Sequence, residues 1–250
     1  MKELLNVVTR GDCLETMRKI DDASVDSIVT DPPYNQGYHY RTYKDRMDWE
    51  AYFAWQLEIF VEAERILKPS GSIVWLNYPE IAATMWGKVL DGTKLEPFEI
   101  IHWLYSVNTG GNPLRKGTRH WLWFVKDAEQ AYVGKEETLG TFRCPNDKRL
   151  AQKIANGERP VDFDYWTYEI VRNVHKEKTI HPCQLPLVMV SRIVKMITPV
   201  GGIVVDPFGG SGTTAITAQE SGRNFITSET DEAYCELIEE RLESAVDIFQ

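Results

Sequence analysis

The chain has 250 residues, 43% of them hydrophobic, 11% aromatic and 26% charged, with a formal net charge of −9 at pH 7. Such a chain buries enough apolar surface to offset its conformational entropy, which excludes intrinsic disorder, and 17 Gly and 12 Pro without a period exclude a collagen-like fibre. No apolar run approaches the roughly 20 residues a bilayer crossing needs, and the polar start from Met1 to Arg10 is unlike a signal peptide.

Along the first part of the chain, strand and helix signals alternate. Ser24 to Thr30 is a β-branched run that predicts a strand, ended by Asp31-Pro32-Pro33 because proline cannot donate to a ladder. Trp49 to Leu67 carries apolar residues at helical spacing, and Pro69-Ser70-Gly71 is expected to close it. Ser72 to Leu76 predicts a buried strand, Pro79 to Leu90 a helix and Phe98 to Val107 another strand. From Asn108 to Pro113 the residues are those of a turn, Arg119 to Lys126 is an aromatic-rich strand, and Arg143 to Lys178 predicts loops and short helices. The βα rhythm returns with a helix from Leu187 to Ile197 and a strand from Ile203 to Asp206. A helix from Gly210 to Ser221, a strand from Asn224 to Ser228 and a helix from Asp231 to Val246 complete it. Strands alternating with helices imply an α/β fold with a mostly parallel sheet covered on both faces. Residues 1–107 and 181–250 are expected to form its core, with 108–180 inserted as a recognition region.

Charge is unevenly spread. Residues 100–180 hold thirteen Lys/Arg against ten Asp/Glu, whereas residues 220–250 hold nine acidic and two basic groups. The middle of the chain can therefore meet a polyanion while the far face stays acidic. Cys13, Cys144, Cys183 and Cys235 lie far apart without a C-x-x-C pair, which points away from structural zinc and towards a reducing cytoplasm. The five histidines lack metal-ligand spacing, so no metal is expected.

Two motifs carry chemistry. Asp206-Pro207-Phe208-Gly209-Gly210-Ser211-Gly212-Thr213 follows a predicted strand and opens a helix, so backbone N–H groups can approach a ligand at a helix N-terminus. About twenty residues on, Glu229 ends the next strand, where an acid can accept from ribose hydroxyls. The alternative is a glycine turn that only packs helix against strand. The order is neither G-x-G-x-x-G nor a P-loop, and the pairing with Glu229 favours an adenosine-containing cofactor. Asp31-Pro32-Pro33-Tyr34 is a rigid corner that aims a carboxylate, a proline carbonyl and an aromatic face at one point, an arrangement suited to a flat amino-bearing base. Alone it is equally a strand-ending turn.

Together, and in this order along the chain, the motifs resemble the S-adenosylmethionine-dependent amino DNA methyltransferases of the class in which the catalytic tetrad precedes the cofactor loop. Gly11-Asp12-Cys13-Leu14 is similar to the family's opening G-D-x-L, and His181-Pro182-Cys183-Gln184-Leu185-Pro186 to its H-P-T-Q-K-P. The resemblance implies a Rossmann-like, circularly permuted core. It places Asp31, Pro32, Pro33 and Tyr34 in the catalytic pocket. It assigns Asp206, Pro207, Phe208, Gly209, Gly210, Ser211, Gly212, Thr213 and His181 to the cofactor, with Glu229 at its ribose and Asp12 near its adenine. Cys183 and Leu185 depart from the family's Thr and Lys, so that affinity for cofactor or phosphate is either weaker here or supplied by Lys176 or Lys178. Aspartate at the head of the tetrad is more typical of adenine-N6 than of cytosine-N4 enzymes.

The implied reaction is methylation of the adenine N6 amine in DNA after base flipping. Cytosine-N4 methylation and an inactive nucleic-acid-binding relative are the alternatives; protein-glutamine methyltransferases carry the two motifs in the opposite order. Arg115, Lys116, Arg119, Arg143, Lys148, Arg149 and Lys153 are candidates for DNA contacts, each weighed against an ordinary solvated surface. Arg41, Lys44 and Arg46 sit in a loop that could close over the substrate. DNA is the expected partner; a homodimer and a cognate restriction endonuclease are left open, and the compartment implied is a bacterial or phage-infected bacterial cytoplasm.

Overall fold

The structure, a computed structural model, describes residues 1–106, 114–173 and 175–247. The turn expected over Asn108 to Pro113 lies outside them. One eight-stranded sheet organises the chain, with strands β1 (Val8–Arg10), β2 (Val25–Thr30), β3 (Leu67–Asn77), β4 (Glu96–Leu104), β5 (Thr118–Val125), β6 (Tyr165–Thr167), β7 (Ile203–Asp206) and β8 (Asn224–Glu229). Their spatial order is β1-β8-β7-β2-β3-β5-β4-β6. Every neighbouring pair is parallel except the two that β5 makes, with β3 and β4.

Among the described residues, seven α-helices complete the fold: α1 (Cys13–Met17), α2 (Trp49–Ile66), α3 (Pro79–Gly92), α4 (Ala151–Ala155), α5 (Leu187–Ile197), α6 (Thr213–Glu220) and α7 (Glu232–Asp247). The sheet alternates its side chains between two cores, as a period of two requires. Ile28, Ile73, Val205 and Ile226 face α1, α2 and α3, while Val29, Val74, Val204 and Phe225 face α5, α6 and α7. The Trp75, Trp103, Trp121 and Trp123 side chains are buried in these cores. Among the described residues, no helix is long and apolar enough to cross a membrane.

Several boundaries move. Pro69-Ser70-Gly71 does not end a helix before a separate strand but lies inside β3, whose edge there is paired by Tyr132 N donating to Ser70 O and Lys126 N to Gly71 O. The helix expected from Gly210 begins at Thr213, because Gly210 and Gly212 hold positive φ and form the turn ahead of it. Thr118–Val125, expected within the 108–180 insertion, is an interior strand of the sheet, and Tyr165–Thr167 extends its edge. The excursion off the sheet in this part of the chain is therefore 126–164. The short elements β1, α1, α4 and β6 carry too few residues for periodicity to reveal them.

The topology fixes where a ligand sits. The connection from β7 through α6 leads to β8 on one side, and that from β2 through α2 leads to β3 on the other, so β7 and β2 flank the point where the winding reverses. In such sheets the crevice lies outside the carboxyl ends of the strands at that point. Asp31 and Asp206 stand at those two ends.

Candidate active site

The first wall is the proline corner. Asp31 follows the fully buried β2, and its carboxylate accepts a short hydrogen bond from the Tyr34 hydroxyl. The Tyr52 hydroxyl of α2 donates to Pro33 O at 2.9 Å and accepts from Asn77 Nδ2 at 3.0 Å, tying the corner to β3. Beyond it, buried Asp45 accepts from the backbone N–H of Asn35, Gln36 and Tyr38. Asn35, at φ 57° in the left-handed region favoured by short polar residues, clips Met47 in both directions. This network folds the following loop back over the cleft.

The second wall is the glycine turn. Asp206 accepts from Thr30 Oγ1 at 3.1 Å, which bonds the tip of β2 to the tip of β7. Asp206 also accepts from Phe208 N at 3.1 Å, and Ser228 Oγ donates to Pro207 O at 2.9 Å. Glu229 accepts from Gly210 N at 2.8 Å and from Thr230 N and Asp231 N at 2.7 and 2.9 Å, so its carboxylate is fixed at the end of β8. Asp12 caps α1 through Leu14 N and Glu15 N while lining the same space.

These walls enclose a cleft with about 1060 Å³ of non-atom space, its open mouth included. Asp31 and Pro33 line it together with Asp206 through Ser211, Thr213, Glu229 and His181. Trp55, Tyr40, Tyr43 and Phe208 give it flat apolar surface, and Asp12, Asp31, Asp206, Glu229 and Asp231 give it five carboxylates. A ligand that is partly flat and partly cationic suits such a lining. Asp231 Oδ2 and His181 Nδ1 are buried in this wall without hydrogen-bond partners, an acceptor and a ring nitrogen available to a bound molecule.

Burial sets the electrostatics. It pushes the Asp31 carboxyl up to about 6, against the opposing pull of Arg119 and the Tyr34 hydrogen bond. It pushes Asp206 up to about 7 despite hydrogen bonds from Thr214, Phe208 and Thr30. Burial, with Lys178 and Arg241 nearby, lowers His181 to about 4, so its imidazole is neutral at pH 7. A carboxyl raised in the folded state contributes stability that is present below its unfolded value and is lost as pH rises through about 6. Asp31→Asn therefore raises stability by about 1–3 kcal/mol at pH 8 and leaves it unchanged near pH 4, measured by denaturant melts at both pH values.

The other expected residues are distributed as follows. Gly212 sits behind the cleft wall as the N-cap of α6, and Pro32 is buried at the corner. Arg41 is exposed, with its Nε 3.5 Å from Asp231 Oδ1. Lys116 is exposed and pairs with Glu80 beneath Tyr78, and Arg149 pairs with Asp147. Lys44, Arg46, Arg115, Arg143, Lys148 and Lys153 are exposed, with Arg143 stacked 3.9 Å over Phe163. Arg119 is the correction. It is turned inward among aromatic rings with a buried Nε, because antiparallel β5 starts where the parallel strands end. Reading the sequence passed over Asp45, Tyr40, Tyr43, Trp55, Asp231 and Tyr234. Only the Asn35 that follows the tetrad hinted at an ordered turn, and the rest reach the cleft through tertiary contacts.

The comparisons with known proteins agree with this geometry. A family model described as a DNA methylase matches residues 25–240. The type II methyltransferase M.BglII of Bacillus subtilis is 32% identical over 94% of this chain and 68% of its own length. The DNA adenine methyltransferase YhdJ of Escherichia coli is 30% identical over 95% of this chain and 83% of its own. Among solved structures, the PvuII DNA methyltransferase, described as cytosine-N4-specific, superposes with a TM-score of 0.73 at 18% identity, covering 97% of this chain and 90% of that one. The matched span holds both the proline corner and the glycine turn, and this chain belongs to the N6/N4 DNA methylase family.

Proposed function

We propose that the protein transfers a methyl group from S-adenosylmethionine to the N6 amine of adenine in DNA, with the target base turned out of the duplex. The observation that carries this reading is an aspartate, Asp31, heading the tetrad at the tip of β2 and bonded through Thr30 and Asp206 to the strand that bears the glycine turn. The lining fits the cofactor: Glu229 stands where ribose hydroxyls would donate, buried Asp231 Oδ2 offers an unused acceptor, and the acidic wall suits a sulfonium. Bound there, S-adenosylmethionine supplies an already activated methyl group.

The chain's own work is alignment. The adenine amine is a poor nucleophile because its lone pair is delocalised into the ring. Asp31 and the Pro32 carbonyl accept its two hydrogens and hold the nitrogen nearer to tetrahedral geometry, with the lone pair facing the cofactor side. Tyr34 stacks on the base and recovers part of the few kcal/mol that unstacking costs. The exposed cations Arg115, Arg143, Lys148 and Lys153 lie on and beside the 126–164 excursion and are assigned to the DNA backbone.

The test is product identity. Labelled S-adenosylmethionine and DNA are incubated with the protein, and the DNA is digested to nucleosides. Label is expected in N6-methyl-2′-deoxyadenosine; label confined to N4-methyl-2′-deoxycytidine would replace adenine by cytosine, and absence of label would remove the transfer itself.

A further inference from the structure

Arg119 stands beside the proline corner, and the transfer chemistry above leaves it without a task. It is the second residue of β5, one position before His120, whose pairing with Asn77 is the last between β5 and β3. Its guanidinium carbon lies 5.2 Å from the Tyr34 ring, 5.4 Å from Tyr78, 5.3 Å from Trp103 and 5.6 Å from Tyr105. Four π faces around one cation hold it charged and in place. Its Nε is buried and has no hydrogen-bond partner. A cation caged this way costs desolvation, so its position beside the corner needs a reason.

We propose that Arg119 is the positioning residue that keeps Asp31 ionised, and hence a hydrogen-bond acceptor, when the target base enters the corner. The proposal rests on the methyl-transfer reading of the cleft but is independent of which base is modified. An amine needs an acceptor; a protonated carboxyl would present it with a competing donor. Entry of a base strips water from Asp31 and favours protonation. Of the other groups that face Asp31, only the Tyr34 hydroxyl favours the carboxylate, through the hydrogen bond it donates; Tyr40 of the loop, Tyr52 of α2 and Tyr105 beyond β4 are neutral hydroxyls, while Cys183 and Asp206 are acids. Among the described residues, Arg119 is the cation that acts on Asp31. Because the aromatic cage holds it over Tyr34, it offsets the charge without having to occupy the carboxylate.

The test follows the Asp31 carboxyl directly. Carboxyl-13C-aspartate NMR of the free protein, assigned with Asp31→Asn, is titrated for wild type, Arg119→Met and Arg119→Lys. The wild-type midpoint is expected near 6. In Arg119→Met it moves to higher pH by about one pH unit or more, and in Arg119→Lys by less than half of that. The acid limb of kcat shifts with it, so the Met variant loses about threefold or more at pH 6.5 and regains most of that by pH 9. Retained melting temperature and S-adenosylmethionine binding verify the fold, and Arg119→Gln replaces the Met variant if that one does not fold. Unmoved midpoints, or an activity loss equal at every pH, would overturn the proposal. Absence of DNA methylation by the wild type would overturn the function while leaving the NMR displacement intact, so the two failures are distinguishable.

Discussion

Asp31→Ala lowers kcat for methyl transfer by at least about 10³-fold while S-adenosylmethionine affinity changes by less than about threefold. The separation follows from where the side chain acts. Asp31 reaches the Tyr34 hydroxyl and the mouth of the corner, whereas the glycine turn is held by Asp206, Ser228 and Glu229. Removing the carboxylate frees the Tyr34 hydroxyl and withdraws the acceptor assigned to the amine, an interaction needed for the reaction rather than for cofactor binding. Asp31→Asn retains one acceptor oxygen and should fall between wild type and Ala. Single-turnover kinetics with saturating DNA, paired with calorimetric cofactor titration, separates the two effects. A loss in cofactor affinity as large as the loss in kcat would move Asp31 from the reacting centre to the binding site.

The corner and the glycine turn were visible because each is a local string: prolines must end a strand, and glycines between strand and helix allow close approach. Their adjacency was a consequence of α/β topology, since a right-handed, parallel arrangement gathers strand ends at one edge. What stayed hidden depends on non-local geometry. The direction of β5 is set by its pairing with β3, and that direction brings the Arg119 guanidinium over the Tyr34 ring at the proline corner. Tyr40 reaches the cleft only because Asp45 folds the loop back, and its ring approaches His181 at 6.2 Å. Likewise, the orphaned Asp231 oxygen became visible only once the start of α7 was placed against the turn. Composition gave no warning of a five-carboxylate wall, because the acids come from separate strand ends.

On the cofactor side the largest effect is expected from Gly212→Ala, which should destabilise the protein by about 2–4 kcal/mol and weaken S-adenosylmethionine binding at least about tenfold. Gly212 has φ 76°, a region that strains any residue with a Cβ. A Cβ there would also stand 2.8 Å from Ile238 Cγ2 and 3.0 Å from Cγ1. Ile238 is fully buried and β-branched on α7, so it cannot swing aside cheaply. Relief must come from moving the turn, and Ser211 and Thr213 on either side of Gly212 line the cleft. Gly222→Ala is the matched control. Its φ is 70°, but a Cβ there would meet only Val200 Cγ1 at 3.7 Å, and the position is remote from the cleft. It should cost about 1 kcal/mol and leave cofactor affinity unchanged. Thermal melts and calorimetric titration of both variants separate strain from site geometry. Equal affinities in the two would mean that the turn binds nothing, and that its glycines serve only to pack α6 against α7.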